Sequence, residues 1–254
     1  MCLLCVAIHM RKDLPLIIMG NRDECYERPT LPSHFWEPDF QILAGKDLAQ
    51  GGTWLGITRG GRFCTVLNYR EPEVLKKRVP SRGKIVLEFL RGGQKTEDFL
   101  RDLEKRAFEY NGFNLIVGRV EELWWFSNRG GCQRLEKGIY ALSNHLLNTP
   151  WPKVRKAIAL MSAALEKEIP LLKSSLLEGL FDHTMAPDSQ LPRTGVPLEW
   201  ERTLSSVFVR SPNYGTRSSH LLLIQEDGGV HFVERTYEEG LFKQDREFFF
   251  YLNT

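Results

Sequence analysis

The 254-residue chain has no long hydrophobic run. Crossing a bilayer takes roughly 20 consecutive apolar residues, and the apolar stretch near the start, residues 2–8, is much shorter. It also lacks the basic lead-in of a secretory signal peptide. Asp13, Asp23 and Glu24 argue against an acid-poor mitochondrial presequence. We therefore expect a cytoplasmic protein without a membrane span.

An excess of one charge is also lacking. The sequence has 34 Lys and Arg residues against 32 Asp and Glu residues, a net charge of +2. Binding to nucleic acid needs basic residues clustered on one face, and the densest basic run, residues 76–84, is typical of a solvated loop leading into a helix. We therefore expect no nucleic-acid partner.

Cysteine is scarce, and the histidines are scattered. Five cysteines, an odd number spread along the chain, do not make a disulfide framework. Cys2 and Cys5 have C-x-x-C spacing, but their run is typical of a strand, where positions three apart point to opposite faces. The six histidines show no metal spacing. We expect no metal site and no required cofactor.

The pattern of apolar residues predicts a mixed α+β fold. Strands are predicted at residues 2–9, 15–19, 53–58, 62–68, 113–117, 122–126, 139–143, 206–209, 220–224, 230–234 and 248–251. Helices are predicted at 81–90, 96–108, from Pro152 onwards, and at 174–181, with loops at 24–38 and 183–197. There is no repeat, low-complexity segment or evident linker. We therefore expect a single domain over residues 1–254.

Cys2 is the first candidate for chemistry. A small residue after Met1 is normally exposed by methionine aminopeptidase, and a free N-terminal cysteine joins a thiol to an α-amine that can take its proton. Asn21-Arg22-Asp23-Glu24 ends the second predicted strand. If the first two strands form a hairpin, Arg22 and Asp23 lie near Cys2. A guanidinium lowers the pKa of a thiol, and a carboxylate can hold the amine; a plain strand-end salt bridge is the alternative.

Other polar residues sit at predicted strand ends. Asn68 and Asn144 offer neutral amide donors for an oxyanion, and Arg217 follows Gly215 and Thr216. Each of these residues is equally explained as a turn former. His145, beside Asn144, is the histidine best placed for a site, and a haem-ligand role is one reading of it.

Together these motifs resemble the NRDE family, also named the transport and Golgi organization protein 2 family, over nearly the whole chain. The resemblance rests on residues 21–24, Tyr26, 28–29, 51–57, 68–69, 111–116, 143–144, 149–151 and 214–217. It implies a four-layer αββα sandwich like that of the N-terminal nucleophile hydrolases. The related cysteine amidases carry Arg-Asn-x-Asp where this chain has Asn21-Arg22-Asp23, which leaves the register of the arginine and the aspartate open.

The resemblance implies two functions. One is hydrolysis of a small amide, with catalytic residues Cys2, Arg22, Asp23, Asn68, Asn144 and Arg217. The other is a non-catalytic carrier for haem, or for an acyl-CoA or other acyl thioester, that uses the same pocket. Ligand-binding residues are expected at Asn21, Glu24, Tyr69 and His145. The oligomeric state is not predicted.

Overall fold

The structure is a computed structural model that describes residues 3–38 and 40–253. Its strands are β1 Leu3–Ile8, β2 Leu16–Cys25, β3 Thr30–Phe35, β4 Ile42–Asp47, β5 Leu55–Thr58, β6 Arg62–Asn68, β7 Phe113–Arg119, β8 Glu122–Ser127, β9 Gly131–Arg134, β10 Gly138–Leu142, β11 Tyr214–Ile224, β12 Gly229–Glu238 and β13 Leu241–Tyr251. Its α-helices are α1 Arg82–Arg91, α2 Thr96–Arg106, α3 Pro152–Leu165, α4 Ile169–Gly179 and α5 Leu198–Leu204.

The strands form two antiparallel sheets. In the described part of the chain one sheet has the order β10-β1-β2-β11-β12-β13, and the other runs from β3 to β9 in chain order. Helices α1 and α2 pack on the second sheet, whereas α3 and α4 pack on the first. A separate apolar cluster lies between the sheets. The predicted α+β fold with αββα layers is therefore confirmed.

Strand alternation explains the layers. In β1 and β2, Leu4 and Ile18 belong to the cluster between the sheets, while Leu3 and Met19 belong to the cluster under α3 and α4. Successive strand residues point to opposite faces, so a strand buried on both sides is apolar throughout, as residues 3–8 are. No helix among residues 3–38 and 40–253 is long and apolar enough to cross a membrane.

The predicted loop at residues 24–38 is wrong. β2 continues to Cys25, and β3 occupies Thr30–Phe35. β3 is an edge strand with a register shift between Leu31 and His34. Pro32 is tolerated there because an edge strand does not need every N–H for its ladder.

Two further predictions, one of a strand and one of a helix start, differ from the structure. Residues 206–209 form no strand: they are buried, but their polar groups bond to separate partners rather than in a strand ladder, as when Ser206 Oγ donates to the Phe208 carbonyl and the Phe208 N–H donates to the Asp182 carbonyl. Helix α4 begins at Ile169 rather than at 174, with Pro170 in its first turn, where a missing N–H costs nothing. The short elements β4, β9 and α5 were not predicted.

Candidate functional site

The first two strands form the predicted hairpin. Leu3 pairs with Asn21 and Ile8 with Leu16, so the start of β1 meets the end of β2. Cys2, the predicted nucleophile, lies outside the described residues. Its chain neighbour Leu3 therefore marks where the described chain meets the Asn21–Glu24 segment.

Alternation along β2 separates Asn21 and Asp23 from Arg22. Asn21 Nδ2 donates to the main-chain oxygens of Leu180 and Val207 on the side of α4. Asp23 is on this same side, whereas Arg22 faces the seven-stranded sheet and stacks on Trp54. The sequence left open how the arginine and the aspartate are arranged. In the structure, the Arg22 guanidinium and the Asp23 carboxylate project from opposite faces of β2.

Asp23 is held in a buried polar setting. Thr216 Oγ1 donates to its Oδ1 at 2.7 Å, and the Val209 N–H donates to the same threonine oxygen at 2.9 Å. The Lys153 ammonium, in the first turn of α3, lies 3.9 Å from Asp23 Oδ2, and both side chains are almost fully buried. A buried carboxylate is retained as a charge only when such partners offset its desolvation.

Arg22 is buried to 96% and lies on an aromatic ring. Its guanidinium carbon is 4.1 Å from the centre of the Trp54 ring, a cation–π contact. Among the described residues its side chain makes one ion pair, to Glu24 at 3.8 Å, and no hydrogen bond. Burial lowers its pKa, and the neighbouring Arg217 charge acts in the same direction. Among the described residues, Glu24 is therefore the one anion paired with the Arg22 guanidinium, and no hydrogen bond joins the two.

A buried polar network, formed by His220, Glu234 and the Ser33 N–H, holds the indole N–H of Trp54. Trp54 Nε1 donates to His220 Nε2 at 3.0 Å. An indole N–H can only donate, so Nε2 accepts and the imidazole proton is on Nδ1, which lies 3.9 Å from Glu234 Oε1. Glu234 Oε2 accepts the Ser33 N–H at 2.5 Å. The network ties β11 and β12 of one sheet to β3 and Trp54 of the other.

Ser218, His220 and Glu234 have the residue types of a hydrolytic triad, with Ser218 Oγ 3.1 Å from His220 Nε2. Two facts oppose a catalytic role. The indole N–H of Trp54 already occupies Nε2, and burial lowers the pKa of His220 to about 3, too low for a general base near neutral pH. Burial also raises the pKa of Glu234. We interpret the network as structural support for the Trp54 ring.

Sequence reasoning missed this network. Ser218 and His220 are two apart on one strand, and His220 pairs with Glu234 on the next strand. The period-two spacing of Ser218 and His220 could have indicated that both side chains lie on one face of a strand. The contact with Trp54, which is 166 positions away, leaves no signal in the sequence.

Two cavities meet at Arg22 and Trp54. The strand-end cavity, about 250 Å³, is lined by Arg22, Asp23, Glu24, Trp54 and Asn68 among others. The polar cavity, about 340 Å³, is lined by Arg22, Trp54, Arg217, Ser218, Tyr237 and Glu234 among others. Arg22 and Trp54 therefore form a shared wall.

The two predicted asparagines take different places. The exposed Asn68 lines the strand-end cavity with Arg22 and Asp23. Asn144 is buried; its Nδ2 donates to the Asn68 carbonyl at 2.9 Å, and its Oδ1 accepts from Arg70 at 3.3 Å. Asn144 thus holds the end of β6, whereas the side-chain amide of Asn68, to which no described residue bonds, faces the cavity.

Arg217 and Glu24 flank Arg22. Thr216 pairs with Asp23 and Ser218 with Arg22, so Arg217 is the extra residue of a β-bulge. Bulges redirect a side chain, and Arg217 lines the polar cavity while its Nη1 donates to the carbonyls of Cys25 and Arg28. Burial lowers the pKa of Arg217. Glu24 lies 3.8 Å from Arg22 in the strand-end cavity.

The structure does not bring the other predicted ligand residues to this place. Asn21 is fully buried, and its Oδ1 also accepts from Ser219 at 2.6 Å, so its amide is used in packing. Tyr69 and His145 line a third space, the aromatic cavity, of about 440 Å³, with Trp151. Their rings form a wall, with centroids 5.0 Å apart for Tyr69 and His145 and 5.6 Å for His145 and Trp151.

Comparison with known proteins supports the fold and the family resemblance. A family model described as Transport and Golgi organisation 2 matches residues 1–239. The chain is 34% identical over 238 residues to the Transport and Golgi organization protein 2 homologs of Bos taurus and of Homo sapiens, covering 87% of this chain and 86% of each relative. Among solved structures it resembles a conjugated bile acid hydrolase from Clostridium perfringens, with a TM-score of 0.52 at 9% identity over 98% of this chain and 92% of that one. The resemblance inferred from the motifs is confirmed.

Proposed function

The chain belongs to the Transport and Golgi organisation 2 family, and from this premise we propose that it hydrolyses the C–N bond of a small amide through Cys2. One observation carries the proposal. The β1–β2 register pairs Leu3, the first described residue, with Asn21, at a strand end that carries a buried Arg22 and a buried Asp23.

The chemistry uses one residue as nucleophile and base. The α-amine of Cys2 takes the thiol proton, and the sulfur bonds to the amide carbonyl carbon. The C–N bond breaks as the ammonium returns the proton to the leaving nitrogen, which gives a free amine and a Cys2 thioester. Water then adds to the thioester carbonyl and the C–S bond breaks, which releases a carboxylic acid and the thiol.

The described residues are suited to the remaining roles in this reaction: amine binding, charge stabilisation and oxyanion donation. Asp23, on the helix-facing side of β2, is suited to hold the amine, because Thr216 fixes its carboxylate. Arg22, on the opposite face, is suited to stabilise negative charge on sulfur or oxygen, since no described residue occupies the hydrogen-bond donors of its guanidinium and its one ion pair, to Glu24, is 3.8 Å long. The Asn68 amide is suited to donate to the oxyanion, and Asn144 positions it.

The likeness to a conjugated bile acid hydrolase supports the fold in which the proposal is made. Activity does not follow from a fold, so the argument depends on the residues of this chain. It also requires that Met1 be removed, because otherwise the amine of Cys2 is tied up in a peptide bond.

The test is amine release from a panel of small N-acyl amides, with the N-terminus of the same preparation read by intact mass. We expect turnover by the wild-type chain without Met1 and at least a thousandfold loss in Cys2→Ala, because the nucleophile is gone. Cys132→Ala, at an exposed cysteine in β9, is the matched control. Undiminished turnover by Cys2→Ala, or turnover with Met1 retained, would reject the proposal.

A carrier for haem is the second candidate, favoured by the environment of His145. Thr149 Oγ1 donates to the Leu146 carbonyl, so it accepts the Nδ1 proton of His145 at 2.9 Å. Nε2 is therefore a free acceptor, because no described residue bonds to it. A neutral imidazole between Tyr69 and Trp151 fits an iron ligand in an aromatic cavity. The carrier hypothesis then uses the aromatic cavity, whereas the sequence led us to expect the same pocket as for hydrolysis.

The carrier reading has a separate test. Titration of the protein with haem is expected to give a Soret shift that His145→Ala abolishes and Cys2→Ala preserves. Equal shifts in both variants would reject His145 as the ligand. An acyl-CoA or other acyl thioester as cargo stays an expectation, to be tested by native mass spectrometry for a retained ligand.

A further inference from the structure

The polar cavity contains two guanidinium groups with unused hydrogen-bonding capacity. Arg22 is almost fully buried, and among the described residues it has only Glu24, 3.8 Å away, as a charge partner. Arg217 uses Nη1 for two carbonyls, and none of its other nitrogens bonds to a described residue. Two such cations in one cavity are a costly arrangement unless an anion joins them.

Glu24 is shared among three guanidinium groups: it lies 3.8 Å from Arg22 and 3.7 Å from Arg28, and its charge also acts on Arg217, so one carboxylate offsets these cations only in part. The other neighbouring carboxyl groups do not supply the missing anion. Glu238 pairs with Lys243 at 3.0 Å, and Glu27 and Glu239 are exposed at the rim, where solvent and salt screen them. Glu234 is buried and receives the Ser33 N–H. Burial raises the pKa of Glu234, which favours its uncharged form.

We infer that the polar cavity is a binding site for an anionic oxygen group of the ligand, a carboxylate or a phosphate, held by Arg22 and Arg217. Guanidinium groups bind such oxygens through paired hydrogen bonds. Trp54 lines the same cavity, and the Arg22 guanidinium stacks on its ring.

The cavity also limits the rest of the ligand. At about 340 Å³ it is at the lower end of the range for small-molecule pockets, and Trp54, Pro32 and Tyr237 line it together with hydroxyl, carboxyl and guanidinium groups. Because it shares Arg22 and Trp54 with the strand-end cavity, an anion held here lies next to Asn68 and Asp23 across that wall. Resting on the proposed function, the substrate is then a small amide that itself carries the anion.

The test measures anion binding in the full-length Cys2→Ala chain, so that hydrolysis cannot consume the probe. The probes are N-acetylglycine, its uncharged analogue N-acetylglycinamide, and inorganic phosphate, followed by ligand-observed NMR. We expect N-acetylglycine to bind at least tenfold more tightly than the amide analogue. Arg217→Gln should weaken N-acetylglycine about tenfold, and Arg217→Lys should restore part of the affinity, since a lysine keeps the charge without the fork.

The matched control is Arg235→Gln, because Arg235 lies on the neighbouring strand β12 but its guanidinium is already paired with Asp245 through two hydrogen bonds of 2.8 Å. It should leave the affinity unchanged. Competition between N-acetylglycine and phosphate supports one anion site, and the tighter probe identifies the chemical source. Equal binding of charged and uncharged probes, or equal losses in Arg217→Gln and Arg235→Gln, would overturn the inference.

Failure of this inference is distinguishable from failure of the proposed function. Amide turnover by the wild-type chain without preference for anionic substrates would overturn the anion site and leave the hydrolase intact. Anion binding that depends on Arg217 without any amide turnover would leave the site standing and reject the hydrolase.

Discussion

Replacing His220 with glutamine should flatten the acid side of the stability curve. His220 is fully buried, and burial lowers its pKa from 6.5 to about 3. In the unfolded chain the imidazole binds a proton below about pH 6.5, but in the folded protein it stays neutral. Between these two pKa values the unfolded state therefore binds more protons than the folded state. As a result, the free energy of unfolding decreases as the pH falls.

The magnitude follows from the two pKa values. With about 6.5 for the unfolded chain and about 3 for the folded protein, linkage gives a loss of about 2.7 kcal/mol between pH 7.5 and pH 4.5 from this residue alone. That is a large share of the 5–15 kcal/mol typical of whole domains. Glutamine does not titrate, and its amide oxygen can accept the Trp54 N–H in place of Nε2.

The assay is urea unfolding followed by tryptophan fluorescence at pH 4.5, 5.5, 6.5 and 7.5. We expect His220→Gln to be less stable than the wild type at pH 7.5, yet to lose about 2–3 kcal/mol less on acidification. His9→Gln, at an exposed histidine, controls for the loss of any histidine. Parallel slopes for wild type and His220→Gln would refute the buried neutral imidazole.

Three further changes follow from particular contacts. Glu234 contributes with the opposite sign: burial raises its carboxyl pKa, so the contribution of this residue to stability falls as the pH rises from 4 to 7, and Glu234→Gln should gain stability relative to the wild type over that range in urea unfolding. Glu201→Gln removes the charge that faces Arg70 at 3.0 Å in a nearly buried pair, and should cost about 3 kcal/mol in the same assay. Gly52→Ala places a Cβ 2.6 Å from the backbone carbon of Gly83, and a lowered melting temperature equivalent to about 1–3 kcal/mol is expected.

The strand pattern was predictable wherever both faces of a strand are buried. Residues 3–8 and 16–19 are apolar throughout, and their hairpin followed from the polar residues between them. Residues 24–38 failed because prolines at 29 and 32 are typical of loops, and nothing local indicates that β3 is an edge strand. Its position is decided by pairing with β4, a contact made only in the folded protein.

The candidate site was predictable as a location but not as a geometry. The hairpin placed Arg22 and Asp23 at the chain start, but their opposite faces depend on β2 staying regular to Cys25. Arg217 reaches the polar cavity only because of a bulge between Thr216 and Ser218. A bulge is set by the register of two long strands, and the local sequence around Arg217 gives no signal of it.

The pairing of Asp23 with Lys153 gives the sharpest check on the helix-facing half of the site. Their charged atoms are 3.9 Å apart in a fully buried setting. On the same helix, Lys156 lies only 2.7 Å from Asp182, but both side chains are about one-third exposed. Distance alone therefore ranks the second pair as stronger, whereas burial ranks the first as stronger.

Two double-mutant cycles separate these rankings, using Asp→Asn and Lys→Met at Asp23 with Lys153 and at Asp182 with Lys156. At an effective dielectric constant of about 20, the Coulomb energy of the buried pair is roughly 4 kcal/mol, whereas exposed pairs couple by about 0.2–1 kcal/mol. We expect coupling of about 2–4 kcal/mol for Asp23 with Lys153 in urea unfolding. Equal couplings, or a larger one at the surface, would mean that Lys153 does not hold Asp23. The proposed amine-binding carboxylate would then lose its anchor on α3.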